Sequence, residues 1–247
     1  MGRDRLPLKN PICLSLDISD RSVGLSLLRT AGARAGMVKA GPVPFLSFGE
    51  QLLKEAEQLA VPIFLDLKWH DIPHTVSETI KRLPSVAIRM ITIHALGGPT
   101  MIEAARKACD TLGANRPVLV AVTALTHLTD TELQRIGLPE RTTAVKRLGE
   151  LALSSGADGL VLSPNELPLA RNAWGSAPIL VTPGIRPLGM MIGGDDQANA
   201  STPQEALRNG SDLLVVGRPV LMAEDPASAM ESLLRESGPL WGANPIR

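Results

Sequence analysis

Short aliphatic and β-branched runs alternate with helix-patterned segments along the whole chain, and this rhythm constrains the fold more than any other feature. The runs are ICLSLDI, GMVKAG, VPIFLDLK, VAIRMITIHA, PVLVAVTAL, DGLVLS, APILVTP and DLLVVGR, eight in all. Between them lie segments such as FGEQLLKEAEQLA, PTMIEAARKACDTLG, RTTAVKRLGELALSSG and DPASAMESLLRES, whose apolar positions recur three or four residues apart, the helical period. Several runs are apolar on both faces, as strands of a parallel sheet covered by helices must be. Eight βα units predict an α/β protein whose sheet closes into a (β/α)8 TIM barrel, with an open doubly wound sheet as the alternative. A length of 247 residues suits one such barrel, so residues 1–247 read as a single domain. Residues 186–202 break the rhythm. They follow the seventh run, are rich in Gly and polar residues, lack a helical period and read as a lid or binding loop.

Composition narrows the function. Formal net charge is zero, so no global field recruits nucleic acid or an acidic membrane. Aromatic residues are 2% of the chain and Tyr is absent, which leaves few platforms for stacking bases. No apolar run reaches membrane-spanning length, and MGRDRLPLKN lacks the apolar stretch of a secretory signal, so the expected location is the cytoplasm. Cys13 and Cys109 form neither a metal-binding spacing nor a disulfide framework; Cys13, inside an apolar run, reads as a small core residue.

Active sites of such barrels lie at the C-terminal ends of the strands. There the runs present Asp17, Lys39, Asp66 and Lys68 with Asp71 just beyond, then His94, Thr123 and Thr126, and finally Gly217 and Arg218. Strand alternation puts Asp66 and Lys68 on one face, with Leu65 and Leu67 on the other, under the helices. A buried ion pair that fixes register would explain Asp66 and Lys68 alone, but not the gathering of Lys39, Asp17 and Asp71 at the same rim. Some of these residues also have local structural readings. Asp71 fits a turn or helix start, and Thr75 with Glu78 has the spacing of a capping box. His70 and His74 are four apart, but Pro73 lies between them and no HExxH pattern is present, so they read as supporting side chains, not metal ligands. The turn in VVGRPV, with Arg218, suits an anion, and Gln197 in the irregular loop could close over it.

Assembled in order, these segments resemble the orotidine 5′-monophosphate decarboxylase family. LSLD, VKAG, DLKWHDIPHT, IHALGG, AVTALT, VTPGIRP, the Asp-Gln pair ahead of TP, and VVGRPV follow its pattern, and DLKWHDIPHT is close to the specific signature D-x-K-x-x-D-I-P-x-T. The departures are Trp69 and His74, where bacterial relatives often carry Phe and Asn, and a loop without the arginine often found after the glutamine. The resemblance implies a TIM-barrel carboxy-lyase that converts orotidine 5′-monophosphate to UMP in the last step of de novo pyrimidine synthesis, with no metal and no organic cofactor. It implies Lys68 as proton donor to C6, Asp66 beside the substrate carboxylate, and Asp17 and Lys39 on the ribose hydroxyls. It implies a homodimer in which Asp71 and Thr75 reach the partner's site. Thr126 would meet the pyrimidine, while Arg186, Gln197, Gly217 and Arg218 would hold the 5′-phosphate under the closing loop 186–202. Two rivals are a metal-dependent sugar-phosphate decarboxylase or aldolase sharing the D-x-K-x-x-D core, such as the 3-keto-gulonate 6-phosphate type, and a non-catalytic phosphosugar-binding barrel.

Overall fold

A computed structural model of the chain describes residues 8–84, 86–188 and 200–241. Eight strands form a closed barrel in sequence order: β1 (Ile12–Ser15), β2 (Met37–Ala40), β3 (Ile63–Trp69), β4 (Ile88–His94), β5 (Val118–Val122), β6 (Gly159–Val161), β7 (Ile179–Thr182) and β8 (Leu213–Val216). All pairings are parallel, and β1 bonds to both β2 and β8, which excludes the open sheet. The helices are α1 (Arg21–Leu27), α2 (Pro42–Gln58), α3 (Pro73–Lys81), α4 (Gly98–Asp110), α5 (Asp130–Arg135), α6 (Arg141–Ser154), α7 (Leu167–Trp174), α8 (Pro203–Arg208), α9 (Arg218–Leu221) and α10 (Pro226–Trp241).

The period-two rule sorts the strand residues into two cores. Ile12, Leu14, Val38, Ile63, Leu65, Ile91 and Ile93 face outward into the layer between sheet and helices. Cys13, Met37, Phe64, Met90, Val118, Val120, Ile179, Val181, Leu213 and Val215 fill the barrel interior. Two residues further along the first four strands, the inward positions become Ser15, Lys39, Asp66 and Thr92. The interior is therefore an apolar floor with polar groups directly above it.

Several local expectations need correction. β1 stops at Ser15, so Asp17 lies beyond the strand and not at its last residue. Helix α2 begins at Pro42, ahead of the amphipathic segment, and breaks at Phe48 (φ −155°, ψ 28°). The spacing of Thr75 and Glu78 does not make a capping box. Helix α3 starts at Pro73 with Ile72 as N-cap and no side-chain cap, which places Thr75 inside the first turn. Proline suits a first helical position because its missing N–H would have no partner there. Thr129 with Glu132 and Thr202 with Glu205 do form capping boxes, at the starts of α5 and α8.

Candidate active site

The C-terminal mouth of the barrel holds a cavity of about 510 Å³. Its lining includes Asp17, Lys39, Asp66, Lys68, Thr126, Arg186, Gly217 and Arg218, so these residues bring six βα units together. At its centre is Asp66, whose side chain is 9% exposed. Its Oδ2 lies 2.8 Å from Lys68 Nζ and 3.2 Å from Lys39 Nζ. Its Oδ1 accepts a hydrogen bond of 2.9 Å from the Thr92 hydroxyl. Burial pushes the Asp66 carboxyl up, but the two ammonium groups and the hydrogen bonds from Lys68 and Thr92 outweigh it and hold the group below the usual carboxylate range. Lys39 shows the mirror image: burial depresses its ammonium, and Asp66 with Asp17 more than restores it, for a net rise. Asp17 Oδ1 is 3.6 Å from Lys39 Nζ, and its Oδ2 accepts 2.7 Å from the Ser15 hydroxyl.

Lys68 does not reach the cavity by simple strand alternation. The β3–β4 register shifts between Leu65 and Trp69, and Lys68 has φ = 48°, in the left-handed region. For a residue with a Cβ that conformation costs on the order of 1–3 kcal/mol and persists only where the surroundings enforce it. Thr92 enforces it, because its Oγ1 accepts the Lys68 backbone N–H at 2.8 Å while bonding Asp66. One hydroxyl thus shapes the bulge and orients the carboxylate. The Lys68 side chain is 37% exposed against 12% for Lys39, so Lys68 is the more open of the two ammonium groups at Asp66.

The other predicted residues divide. Arg186 is buried, with Nη1 donating 2.9 Å to the Ile185 carbonyl. The base of loop 186–202 is pinned by the Ile185–Ser201 bridge, with Arg186 N–H donating to Ser201 O at 2.9 Å and Ser201 N–H to Gly184 O at 3.2 Å. Gly184 turns into this stem at φ = 83°, a conformation that favours glycine. Gln197 lies outside the described residues. Asp71 and Thr75 are exposed and do not line their own chain's cavity; Asp71 Oδ1 accepts 2.6 Å from the Ile72 amide. Thr123 is buried and is not a lining residue. His94 ends β4 with its ring stacked on His70 at 5.4 Å, and its Nδ1 accepts from the Leu96 amide at 3.3 Å. Burial, then His70 and Lys68, lower its imidazole to about 4. Ser15 and Thr92 escaped the sequence reading, although each is a polar residue that follows an apolar one on the inward face of its strand, which was the available signal. Among the described residues no group of three His, Cys, Asp or Glu is arranged to hold a metal, and no helix is long and apolar enough to cross a membrane.

Known proteins share this arrangement of chain and fold. A sequence model of the orotidine 5′-phosphate decarboxylase / HUMPS family matches residues 10–233. An orotidine 5′-phosphate decarboxylase of Actinobacillus pleuropneumoniae is 38% identical over 92% of this chain and 98% of its own. One of Shewanella sediminis is 39% identical over 90% of this chain and 95% of its own. The crystal structure of orotidine 5′-phosphate decarboxylase from Lactobacillus acidophilus superposes with a TM-score of 0.80 at 35% identity, covering 93% of this chain and 99% of that one. An uncharacterized conserved protein from Geobacillus kaustophilus superposes with a TM-score of 0.78 at 29% identity, covering 92% of this chain and all of that one. With eight strands closed in order, and Asp66 and Lys68 of the D-x-K-x-x-D motif meeting at their mouth, this chain belongs to the orotidine 5′-phosphate decarboxylase / HUMPS family.

Proposed function

We propose that the chain is an orotidine 5′-phosphate decarboxylase, a carboxy-lyase of pyrimidine biosynthesis that converts orotidine 5′-monophosphate to UMP without metal or organic cofactor, with Lys68 as proton donor. The observation that carries this reading is the Lys39–Asp66–Lys68 array, in which one buried carboxylate binds two ammonium groups and the more exposed of the two faces the cavity. Loss of CO₂ from C6 of the pyrimidine leaves a carbanion with little resonance help. An ammonium fixed at that carbon stabilises the charge as it forms and then delivers the proton. Asp66, kept ionised by its partners, would sit beside the substrate carboxylate; at about 4 Å two carboxylates repel by roughly 4 kcal/mol at an effective dielectric near 20. That repulsion disappears as CO₂ leaves. Binding energy from the distant phosphate offsets it in the ground state. Arg186, Gly217 and Arg218 line the cavity and hold the phosphate, with Gln197 as the further contact that the resemblance implies. Asp17 and Lys39 take the ribose hydroxyls and Thr126 the pyrimidine.

The active form is a homodimer with shared sites. Asp71 and Thr75 serve the partner's cavity, which fits their exposure and their absence from their own chain's lining. Exposed apolar side chains at this end, Val43 (52%), Leu46 (84%), Ile72 (65%) and Leu96 (41%), fit a surface that a second copy covers. Purified protein mixed with orotidine 5′-monophosphate should shift the ultraviolet spectrum from that of the orotate ring to that of uracil, with and without EDTA. Loss of activity in EDTA would favour the metal-dependent sugar-phosphate branch of the superfamily. An inactive Asp71→Ala chain mixed with an inactive Lys68→Ala chain should regain about a quarter of wild-type activity, because half the dimers are mixed and each has one intact site. No recovery after verified subunit exchange would return Asp71 to its own chain's site.

A further inference from the structure

We propose that Arg141, braced by Glu166, is a positioning residue that shapes the turn between β5 and α5 and thereby sets where Leu125 and Thr126 stand in the cavity. The kinetic readouts below rest on the decarboxylase function; the geometric argument does not. Residues 123–129 belong to neither a strand nor a helix, yet Leu125 and Thr126 line the site. Carbonyls outside regular structure must find other donors. The turn has one internal backbone bond, Leu128 N–H to Leu125 O at 3.1 Å. Thr129 at its end is held by the capping box with Glu132, while the carbonyls of Leu125 and Leu128 are gripped by Arg141, the first residue of α6. Its Nη2 donates to Leu125 O at 3.1 Å and also to Leu128 O. Its backbone N–H donates to Asp130 Oδ1 at 2.8 Å, at the start of α5. Its Nη1 donates to Glu166 Oε1 at 2.9 Å, and Glu166 Oε2 accepts the Ser163 amide at 2.6 Å.

This ion pair is nearly dry: the Arg141 side chain is 17% exposed and that of Glu166 6%. Such pairs add little net stability because desolvation offsets attraction. What this one supplies is direction. A planar guanidinium places one arm on the carboxylate and another on two carbonyls in fixed relation, a geometry lysine lacks. The carbonyl it grips at Leu125 belongs to the peptide that joins Leu125 to Thr126, so the clamp acts one bond from the Thr126 backbone.

Three measurements test this. At a temperature well below the melting transition, Arg141→Ala should lower kcat/KM for orotidine 5′-monophosphate by about tenfold or more, the scale of one lost hydrogen bond to a charged group. Most of the change should fall on KM. Arg141→Lys should recover only part, and added guanidinium should restore Arg141→Ala. In a Thr126→Ala background the same substitution should have less than about a twofold effect, since both changes remove one contact. Wild-type kcat/KM in the folded variant, or full additivity with Thr126→Ala, overturns the proposal. Amide exchange supplies the arm that needs no activity: the Leu128 amide should exchange faster in Arg141→Ala while β5 amides keep wild-type protection, and unchanged exchange at Leu128 also overturns it. If Arg141→Ala does not fold, Glu166→Gln carries the same measurements and should show the same pattern at smaller size. If the wild-type protein leaves orotidine 5′-monophosphate untouched, the proposed function fails and the exchange experiment still decides this inference.

Discussion

The two ends of the barrel bury the same chemical groups for different ends. At the N-terminal end, Asp158 precedes β6 and Asp212 precedes β8. Asp158 accepts from Arg116 at 2.8 Å and from the Leu119 amide at 2.9 Å on the neighbouring β5, while its own N–H donates to Leu119 O at 2.8 Å. Asp212 repeats the pattern, with Arg171 at 2.6 Å, the Leu180 amide of β7 at 2.8 Å, and its own N–H on Leu180 O at 2.9 Å. Each carboxylate is a clamp across two strands, and its side chain is 7% or 1% exposed. At the C-terminal end Asp66 is as buried, but its partner Lys68 is 37% exposed and faces the cavity. A carboxylate bound to neighbouring main chain fixes register. A carboxylate bound to an ammonium that faces open space holds that ammonium ready for a ligand.

Removing one ion from each end sharpens the contrast. Lys68→Ala should reduce turnover by about 10²–10⁴-fold or more and leave a folded protein. A variant that keeps a tenth of wild-type turnover has lost only about 1.4 kcal/mol, and Lys68 would not be the acid. Lys68→Gly should be equally inactive yet about 1 kcal/mol more stable than Lys68→Ala, because glycine relieves the left-handed strain at φ = 48° and both variants lose the same charge; equal urea midpoints would deny the strain. At the other end, Asp158→Ala removes the buried partner of Arg116, leaves it only the half-exposed Asp110 at 2.8 Å, and should remove about 3 kcal/mol of stability, roughly 10 °C in Tm. The kcat/KM of its folded fraction should match wild type, and a large kinetic defect would break the division of labour.

A smaller effect separates the phosphate contacts from the reacting ring. Arg218→Ala should weaken phosphorylated ligands strongly, through loss of a charge-assisted pair. Gln197→Ala should weaken them several-fold, about 1–1.5 kcal/mol. Neither should change turnover of orotidine lacking its phosphate. Equal losses on both substrates would show that Arg218 supports the barrel or the ring instead.

The smallest effect is a pH slope specific to the C-terminal end. The folded His94 imidazole stays neutral down to about 4, whereas the unfolded chain takes up that proton from 6.5. In that window the unfolded state binds more protons, so stability falls as pH drops and levels off below it. Urea unfolding between pH 6.5 and about 5, above the carboxylate range, should show this loss, and His94→Gln should flatten it. An unchanged slope in His94→Gln would assign it to another group.

The strand count, the two-faced burial of the strands and the residue types at their C-terminal ends were legible along the chain, because each is a local pattern read from the residues in order. The sequence therefore placed Lys39, Asp66, Lys68 and Arg218 at one rim of the barrel, whereas Arg186 entered only through the family resemblance. The bulge at Lys68 was not legible along the chain, since its left-handed backbone is held by Thr92 on the next strand. The same holds for Ser15 on Asp17, for the clamps at Asp158 and Asp212, and for the turn held by Arg141. In most of these the bond joins residues distant in sequence that closure of the barrel brings within about 3 Å, the reach of a hydrogen bond. Even Ser15 and Asp17, two residues apart, meet only where β1 ends and the chain turns into the mouth. No periodicity along the chain encodes which side chain will stand opposite once the eight strands are in register.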